Sequence, residues 1–332
     1  EQTVKEAKNG NSVVSTIDMQ IQKIIEEKLN DFDSKIGSKV TNVLVMDPQN
    51  GEILGMASSN PYDLNEPMDE KKLLSLYSQS EIDEMKAYTK EKEAEEEESG
   101  EKSSEAATEQ EDKDTEKKKT IYDAFYELWR NAIISDTNEP GSTYKPFTVA
   151  TGLESGVLTG NESYFCTGSL MVGKRNIGCS HIHGNITLKD AVAKSCNVAM
   201  MNIAFNEGAE TFYNYQNLFG FGRSTGIDLP GEAETKNLVY NASNYSNSVT
   251  LATNAFGQNF NCTMMQMAAG FCSLINGGNY YRPHIVKQIQ SDGGDVVKDV
   301  GKEVLRKTVS EETSASIRSY MQETVENGTG TK

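Results

Sequence analysis

The chain has 332 residues, 36% hydrophobic and 8% aromatic, and its 32 Lys and Arg against 49 Asp and Glu give a formal net charge of −17. That acidity argues against a nucleic-acid binder, because binding to a phosphate backbone is driven by Lys and Arg displacing counterions. No stretch reaches the ~18–20 consecutive apolar residues of a membrane span, and Glu1–Gly10 lacks the basic-then-apolar layout of a signal peptide.

In chain order, residues 1–11 read as a linker from a missing N-terminal region, since the first residue is Glu and not an initiator Met. Val13–Thr16 reads as a short strand, after which Asp18 caps a helix with Ile21, Ile24, Ile25 and Leu29 on one stripe. Thr41–Met46 and Glu52–Ala57 flank Asp47-Pro48-Gln49-Asn50-Gly51, a hairpin signal in which Asn-Gly supplies the positive φ of a tight turn. Residues 68–119 read as a charged surface insertion. Residues 81–119 hold 16 acids and 8 bases, with an unbroken acidic run at Glu95–Glu98. Such a composition buries too little apolar area to offset chain entropy as irregular structure, although alternating charges support a solvated helix over Met85–Glu98. The insertion reads as a solvated spacer first and an acidic docking surface second.

Without the insertion about 280 residues remain, which fits one large domain over 12–332. Ile121–Asn131 is amphipathic and holds the sole tryptophan, Trp129. Ser142–Glu154, Leu188–Phe205, Thr211–Leu218 and Thr263–Ile275 read as helices, Tyr281–Ile289 as a strand and Ser310–Glu326 as a last helix. The fold class is therefore α+β: an antiparallel sheet with helices packed on it.

The chemistry concentrates in Glu139-Pro140-Gly141-Ser142-Thr143-Tyr144-Lys145-Pro146-Phe147. Pro140-Gly141 breaks the chain and a helical pattern follows, so Ser142 starts a helix and Lys145 lies on the same face one turn on. A serine hydroxyl needs a neighbouring base to become a nucleophile. Lysine serves only if burial or nearby positive charge depresses its pKa from about 10.4. Free N–H groups at the helix start can stabilise an oxyanion. Further on, Lys194-Ser195-Cys196-Asn197 joins or interrupts two helical segments. Its Ser-x-Asn can offer a hydroxyl to relay a proton and an amide to hold a substrate carbonyl.

Together these are the first two elements of the S-x-x-K, S-x-N, K-T-G signature. The chain resembles the transpeptidase domain of class B penicillin-binding proteins, of the division or sporulation type found in clostridia-like Gram-positive bacteria. Further similar stretches are Ser15-Thr16-Ile17-Asp18, Val45–Ile53, Trp129-Arg130-Asn131, His183-Gly184, Phe221-Gly222, Thr225–Glu232 and Gly257-Gln258 with Thr263 and Gln266. The resemblance implies a penicillin-binding, serine β-lactamase-like fold and a peptidoglycan D,D-transpeptidase. Ser142 would be acylated by a D-Ala-D-Ala stem peptide with release of D-Ala, Lys145 would take its proton, Ser195 would relay it, and Asn197 would bind the peptide amide. It also implies β-lactams as covalent inhibitors, an amine acceptor, a membrane glycosyltransferase partner, no cofactor, and work at the extracytoplasmic face of the membrane, anchored by a helix upstream of Glu1. A K-T-G does not follow Ser195-x-Asn197. The end of the chain, Glu326–Lys332, resembles the segment just before that strand, so the expectation is a C-terminally incomplete domain that is inactive by itself. Alternatives are a silent scaffold or sensor, a D,D-carboxypeptidase and a β-lactamase.

The five cysteines are Cys166, Cys179, Cys196, Cys262 and Cys272. Cys166, Cys179, His181 and His183 could supply four zinc ligands, but Cys-x-His-x-His is not a compact zinc spacing. A Cys166–Cys179 disulfide closing a surface loop and free thiols are the other readings, and no metal is expected. Cys262 and Cys272, set among methionines, read as core filler.

Overall fold

Residues from the two ends of the chain build the sheet. In the computed structural model, which describes residues 9–38, 40–59, 61–99 and 118–331, Ser12–Ser15 pairs antiparallel with Val286–Gln290, and that strand with Val296–Asp299. Residues 1–8 of the expected linker and 100–117 of the expected insertion lie outside the described residues. Asn42–Met46 and Ile53–Ser58 pair as expected. Their connection is wider than a two-residue turn: the Asp47 N–H donates to Glu52 O, the Gly51 N–H donates to Asp47 O, and of the Asn-Gly pair only Gly51 has positive φ. The Ile53 N–H donates to His284 O and the His284 N–H to Gly51 O, which joins this hairpin to the chain just before Val286. The single strand expected over 281–289 is instead two, Asn279–Tyr281 and Val286–Gln290. Pro283 falls between them and has no N–H to give a ladder.

Asp18 caps the helix Met19–Lys35 by accepting from Gln20 and Ile21 N–H. Ile25 and Leu29 are buried, but Ile24 is exposed. The stripe is one residue wide and follows the i, i+4 line from half-buried Ile21 through buried Ile25 and Leu29, which Ile24 misses. The larger core packs Phe147, Val149 and Ala150 of Lys145–Glu154 with Met200, Ile203 and Ala204 of Asn197–Leu218 and Ile317 of Glu311–Asn327. A second cluster gathers Ile53, Ile133, Ile134, Ile227 and Met265. The two helices expected over 188–205 and 211–218 are divided elsewhere. Leu188–Ala193 ends before a short break, and Asn197–Leu218 runs on through a kink at Gly208.

The chain forms two compact units, Glu1–Ala57 with Ala132–Lys332, and Ser58–Asn131. The smaller has its own core of Leu73, Ile82, Met85, Ala124, Phe125 and Leu128. Its helix Gln79–Ser99 is tied to Ile121–Trp129 by the Ile121 N–H, which donates to Thr89 Oγ1 at 2.8 Å. Thr120 and Asp123 form a capping box at the start of the latter helix.

Candidate active site

Pro140 and Gly141 turn the chain into a 3-10 segment, Gly141–Tyr144, that runs directly into the α-helix Lys145–Glu154, with Pro146 in its first turn where no N–H is missed. In 3-10 geometry residues i and i+3 eclipse, which keeps Ser142 and Lys145 on one face. The Lys145 N–H donates to Ser142 O. Tyr144 anchors the segment: its ring is buried among Phe147, Phe212, Phe221 and Phe260 at centroid distances of 4.9–6.2 Å. Ser142 itself is exposed and Lys145 is only 2% exposed. The fold therefore leaves the hydroxyl open to a ligand and buries the amine.

The Lys145 Nζ donates to both Ser195 O and Ser195 Oγ, each at 2.7 Å, and makes no ion pair among the described residues. Burial, which penalises the ammonium, lowers its pKa to about 8; the Cys179 and Cys196 thiols pull weakly the other way. Ser195 sits in the break between the two helices with φ of 56°, an uncommon left-handed position for a residue with a Cβ. Such strain persists where the surroundings over-determine it. Here the turn is held by the Ser195 N–H donating to Val192 O, the Cys196 N–H donating to Ala191 O and the lysine itself. Asn197 opens the long helix. Its Nδ2 donates to Gly178 O at 3.1 Å, which leaves Oδ1 able to accept. The last described stretch passes the same turn, where the Thr329 N–H donates to Ala193 O at 3.0 Å.

Sequence reading thus names Ser142, Lys145, Ser195 and Asn197, and the fold joins Lys145 directly to Ser195, with Asn197 two residues on. It gave Gly257-Gln258 as a similar stretch but assigned residues 254–259 no place in the site. The Gly141 N–H donates to Gly257 O at 2.8 Å, the Asn259 N–H to Glu139 Oε1 at 2.8 Å, and the Thr148 hydroxyl to Ala255 O at 2.8 Å. Beneath this stretch the buried Tyr245 hydroxyl lies 2.7 Å from Gln216 Oε1 and 2.8 Å from Asn254 Oδ1, two acceptors for its one proton. A polar cavity of about 490 Å³ opens alongside, lined by Glu139, Asn237, Tyr240, Asn259 and Asn261 among others. The one available signal was Gly257. Its φ is +81°, and a Cβ there would overlap the Gly141 carbonyl oxygen. Gly257→Ala is expected to cost about 1–3 kcal/mol, read as a lowered thermal midpoint; an unchanged midpoint would show that the two loops separate freely.

All five cysteines are free, so the Cys166–Cys179 bridge is not formed. Cys179 Sγ instead faces His183 Nδ1 at 3.6 Å and Cys196 Sγ at 3.9 Å. Where the sequence raised no expectation of a metal, Cys166, Cys179, His183 and Cys196 bring four donor atoms within 4.8 Å of one another. His181, in the set considered from sequence, is replaced by Cys196 because the latter's side chain turns in as the N-cap of the long helix.

The sequence matches the family described as penicillin binding protein transpeptidase domain over residues 41–332. Stage V sporulation protein D of Bacillus subtilis is 28% identical over 327 residues, which cover 97% of this chain and 42% of that protein. The probable peptidoglycan D,D-transpeptidase PenA of Neisseria meningitidis is 25% identical over 328 residues, 98% of this chain and 45% of that protein. This chain therefore spans less than half the length of either. A solved structure of penicillin binding protein 3 from Mycobacterium tuberculosis, complexed with aztreonam, superposes with a TM-score of 0.74 at 22% identity, covering 99% of this chain and 63% of that one.

Proposed function

We infer the function from one premise: the chain belongs to the penicillin binding protein transpeptidase domain family. On that premise it carries a serine acyl-transfer site that cross-links peptidoglycan stem peptides. The observation that supports this most is the buried Lys145 amine, held 2.7 Å from Ser195 Oγ on the same helical face as the open Ser142. An amine depressed toward neutrality can take a proton, and the proposal gives it the proton of the serine one turn before it.

In the proposed sequence Ser142 Oγ attacks the carbonyl between the two D-alanines while Lys145 Nζ accepts its proton. N–H groups at the helix start receive the developing oxyanion. The C–N bond breaks, the proton passes through Ser195 Oγ to the departing D-alanine amine, and an ester remains on Ser142. An acceptor amine then attacks that ester: a new C–N bond forms as the C–O bond to Ser142 breaks, and the proton the amine loses returns to Ser142 Oγ. Asn197 Oδ1 is free to accept from the amide of the bound stem. β-Lactams present a strained amide to the same hydroxyl. For the whole protein the proposal adds work at the extracytoplasmic face of the membrane, a tether to that membrane and a glycosyltransferase partner. No described helix is itself long and apolar enough to cross a membrane.

The test uses the full-length protein with a stem peptide ending in D-Ala-D-Ala, with and without an acceptor amine. Cross-linked product that requires the acceptor, with D-alanine released, is expected. Hydrolysis alone in both arms would replace transpeptidation by carboxypeptidase action, and no D-alanine release would remove the scheme.

A further inference from the structure

The acyl-transfer scheme uses none of the cysteines, yet three of them meet directly behind Ser195. Cys166 ends the strand Ser163–Cys166, which pairs antiparallel with Gly184–Thr187 so that Cys166 lies opposite Gly184, next to His183. Cys179 follows the strand Arg175–Gly178, and Cys196 caps the helix Asn197–Leu218. Strand pairing and a helix cap thus deliver four soft donors to one point from four places in the sequence.

Two of their separations are those of a coordination shell, and all four atoms lie within 4.8 Å of one another. Zinc bound tetrahedrally at about 2.3 Å from sulfur and about 2.0 Å from nitrogen requires edges of roughly 3.8 Å between sulfurs and roughly 3.5 Å from sulfur to nitrogen. The observed separations are 3.9 Å for Cys179 Sγ to Cys196 Sγ and 3.6 Å for Cys179 Sγ to His183 Nδ1. Outer support is present as well. The Asn197 N–H donates to Cys179 Sγ at 3.2 Å and the Ala199 N–H to Cys196 Sγ at 3.5 Å, bonds that favour thiolate over thiol. Cys166 Sγ donates to His181 O at 3.6 Å, a proton it would release on binding a cation. Cys166 and Cys196 are buried, Cys179 and His183 half-buried, so the site is shielded yet reachable.

We propose that Cys166, Cys179, Cys196 and His183 Nδ1 bind one Zn²⁺ as a structural Cys₃His site that braces the Ser195-Cys196-Asn197 turn. With four protein ligands the ion has no open position and supplies no nucleophile. Its work is mechanical. One ligand stands between the proton-relaying Ser195 and the amide-binding Asn197, and another, Cys179, directly follows Gly178, whose carbonyl accepts from Asn197 Nδ2. The ion adds a further hold on the left-handed Ser195, beside the backbone bonds and the lysine that already fix it. His181 stays outside, its ring centroid 6.1 Å from that of His183.

The experiment begins with metal analysis of the full-length protein purified without added zinc and then reconstituted with Zn²⁺ alone. One zinc per chain is expected, lost with Cys179→Ser and with His183→Ala and retained in Cys272→Ser, whose thiol lies outside the cluster. Since a cysteine variant can fail by misfolding, cobalt exchanged into the wild-type protein gives the second readout: thiolate-to-cobalt charge transfer with tetrahedral d–d bands is expected. Penicillin acylation should slow roughly 10- to 100-fold on chelation and recover on adding Zn²⁺, the size of effect a misplaced relay group produces. That last readout rests on the acyl-transfer reading, whereas stoichiometry and spectra do not, so the two can fail separately. Sub-stoichiometric zinc after reconstitution, octahedral cobalt spectra or a mapped disulfide among the three cysteines would overturn the site. Full zinc with acylation unmoved by its removal would overturn the bracing role.

Discussion

Replacing Ser142 by alanine is expected to abolish covalent labelling of the full-length protein by a tagged penicillin and to leave its thermal midpoint where it was. The hydroxyl is exposed and no described bond depends on it, so its loss should change stability by no more than about 0.5 kcal/mol. Its chemistry is another matter. Removing the nucleophile of a serine acyl-transfer enzyme eliminates the covalent intermediate, and turnover falls by a factor on the order of 10⁶ in the best-measured case. Intact-mass spectrometry after exposure to penicillin reads the adduct directly. An adduct that survived in Ser142→Ala would move the nucleophile elsewhere and dissolve the role given to Lys145.

Lys145 is expected to matter almost as much, and for a reason that substitution by arginine isolates. A guanidinium keeps the positive charge and can still donate to Ser195, but it does not deprotonate, so it cannot act as base. Lys145→Arg and Lys145→Met should both lower the acylation rate by roughly 10²–10⁴-fold, the usual worth of a general base. The wild-type rate should rise with pH and level off above a midpoint near 8, where burial places this amine. The sign follows from the base being the neutral form: below that midpoint the ammonium dominates, and the rate drops about tenfold per pH unit. Cys179 and Cys196 oppose the shift, and the half-buried His183 faces the same amine. A flat profile from pH 6 to 9, or activity retained with arginine, would transfer the base role to another group.

Much of this was legible in the sequence because it depends on local order. Asp18 announces its helix by capping chemistry and caps as read, and the helices read from Thr263 and Ser310 begin one residue later, with those two residues as their caps. Ser142 and Lys145 lie one turn apart in any helical geometry, and Ser195-x-Asn197 falls at a helix break that the polarity change at Lys194 already suggests. What stayed hidden depends on which segments meet. Glu139 and Asn259 are 120 residues apart. The thiol set needed Cys196 to turn inward as a helix cap, whereas the pattern around Cys179 pointed to His181. Ile24 went wrong for the opposite reason: periodicity gives a stripe, but only the packed neighbours decide how wide the stripe is.

The strand Ser12–Ser15 has consequences for how the molecule is made. The Thr16 N–H, just beyond it, donates to Ile285 O at 2.8 Å, 269 residues later. At a synthesis rate of about 5–20 residues per second, the first strand waits roughly 15–50 s for its partner to emerge. During that interval its edge is bare, and closing so long a loop carries an entropic cost that only the finished sheet offsets. Assembly of the sheet is therefore a late step that waits for the distal strand, Val286–Gln290.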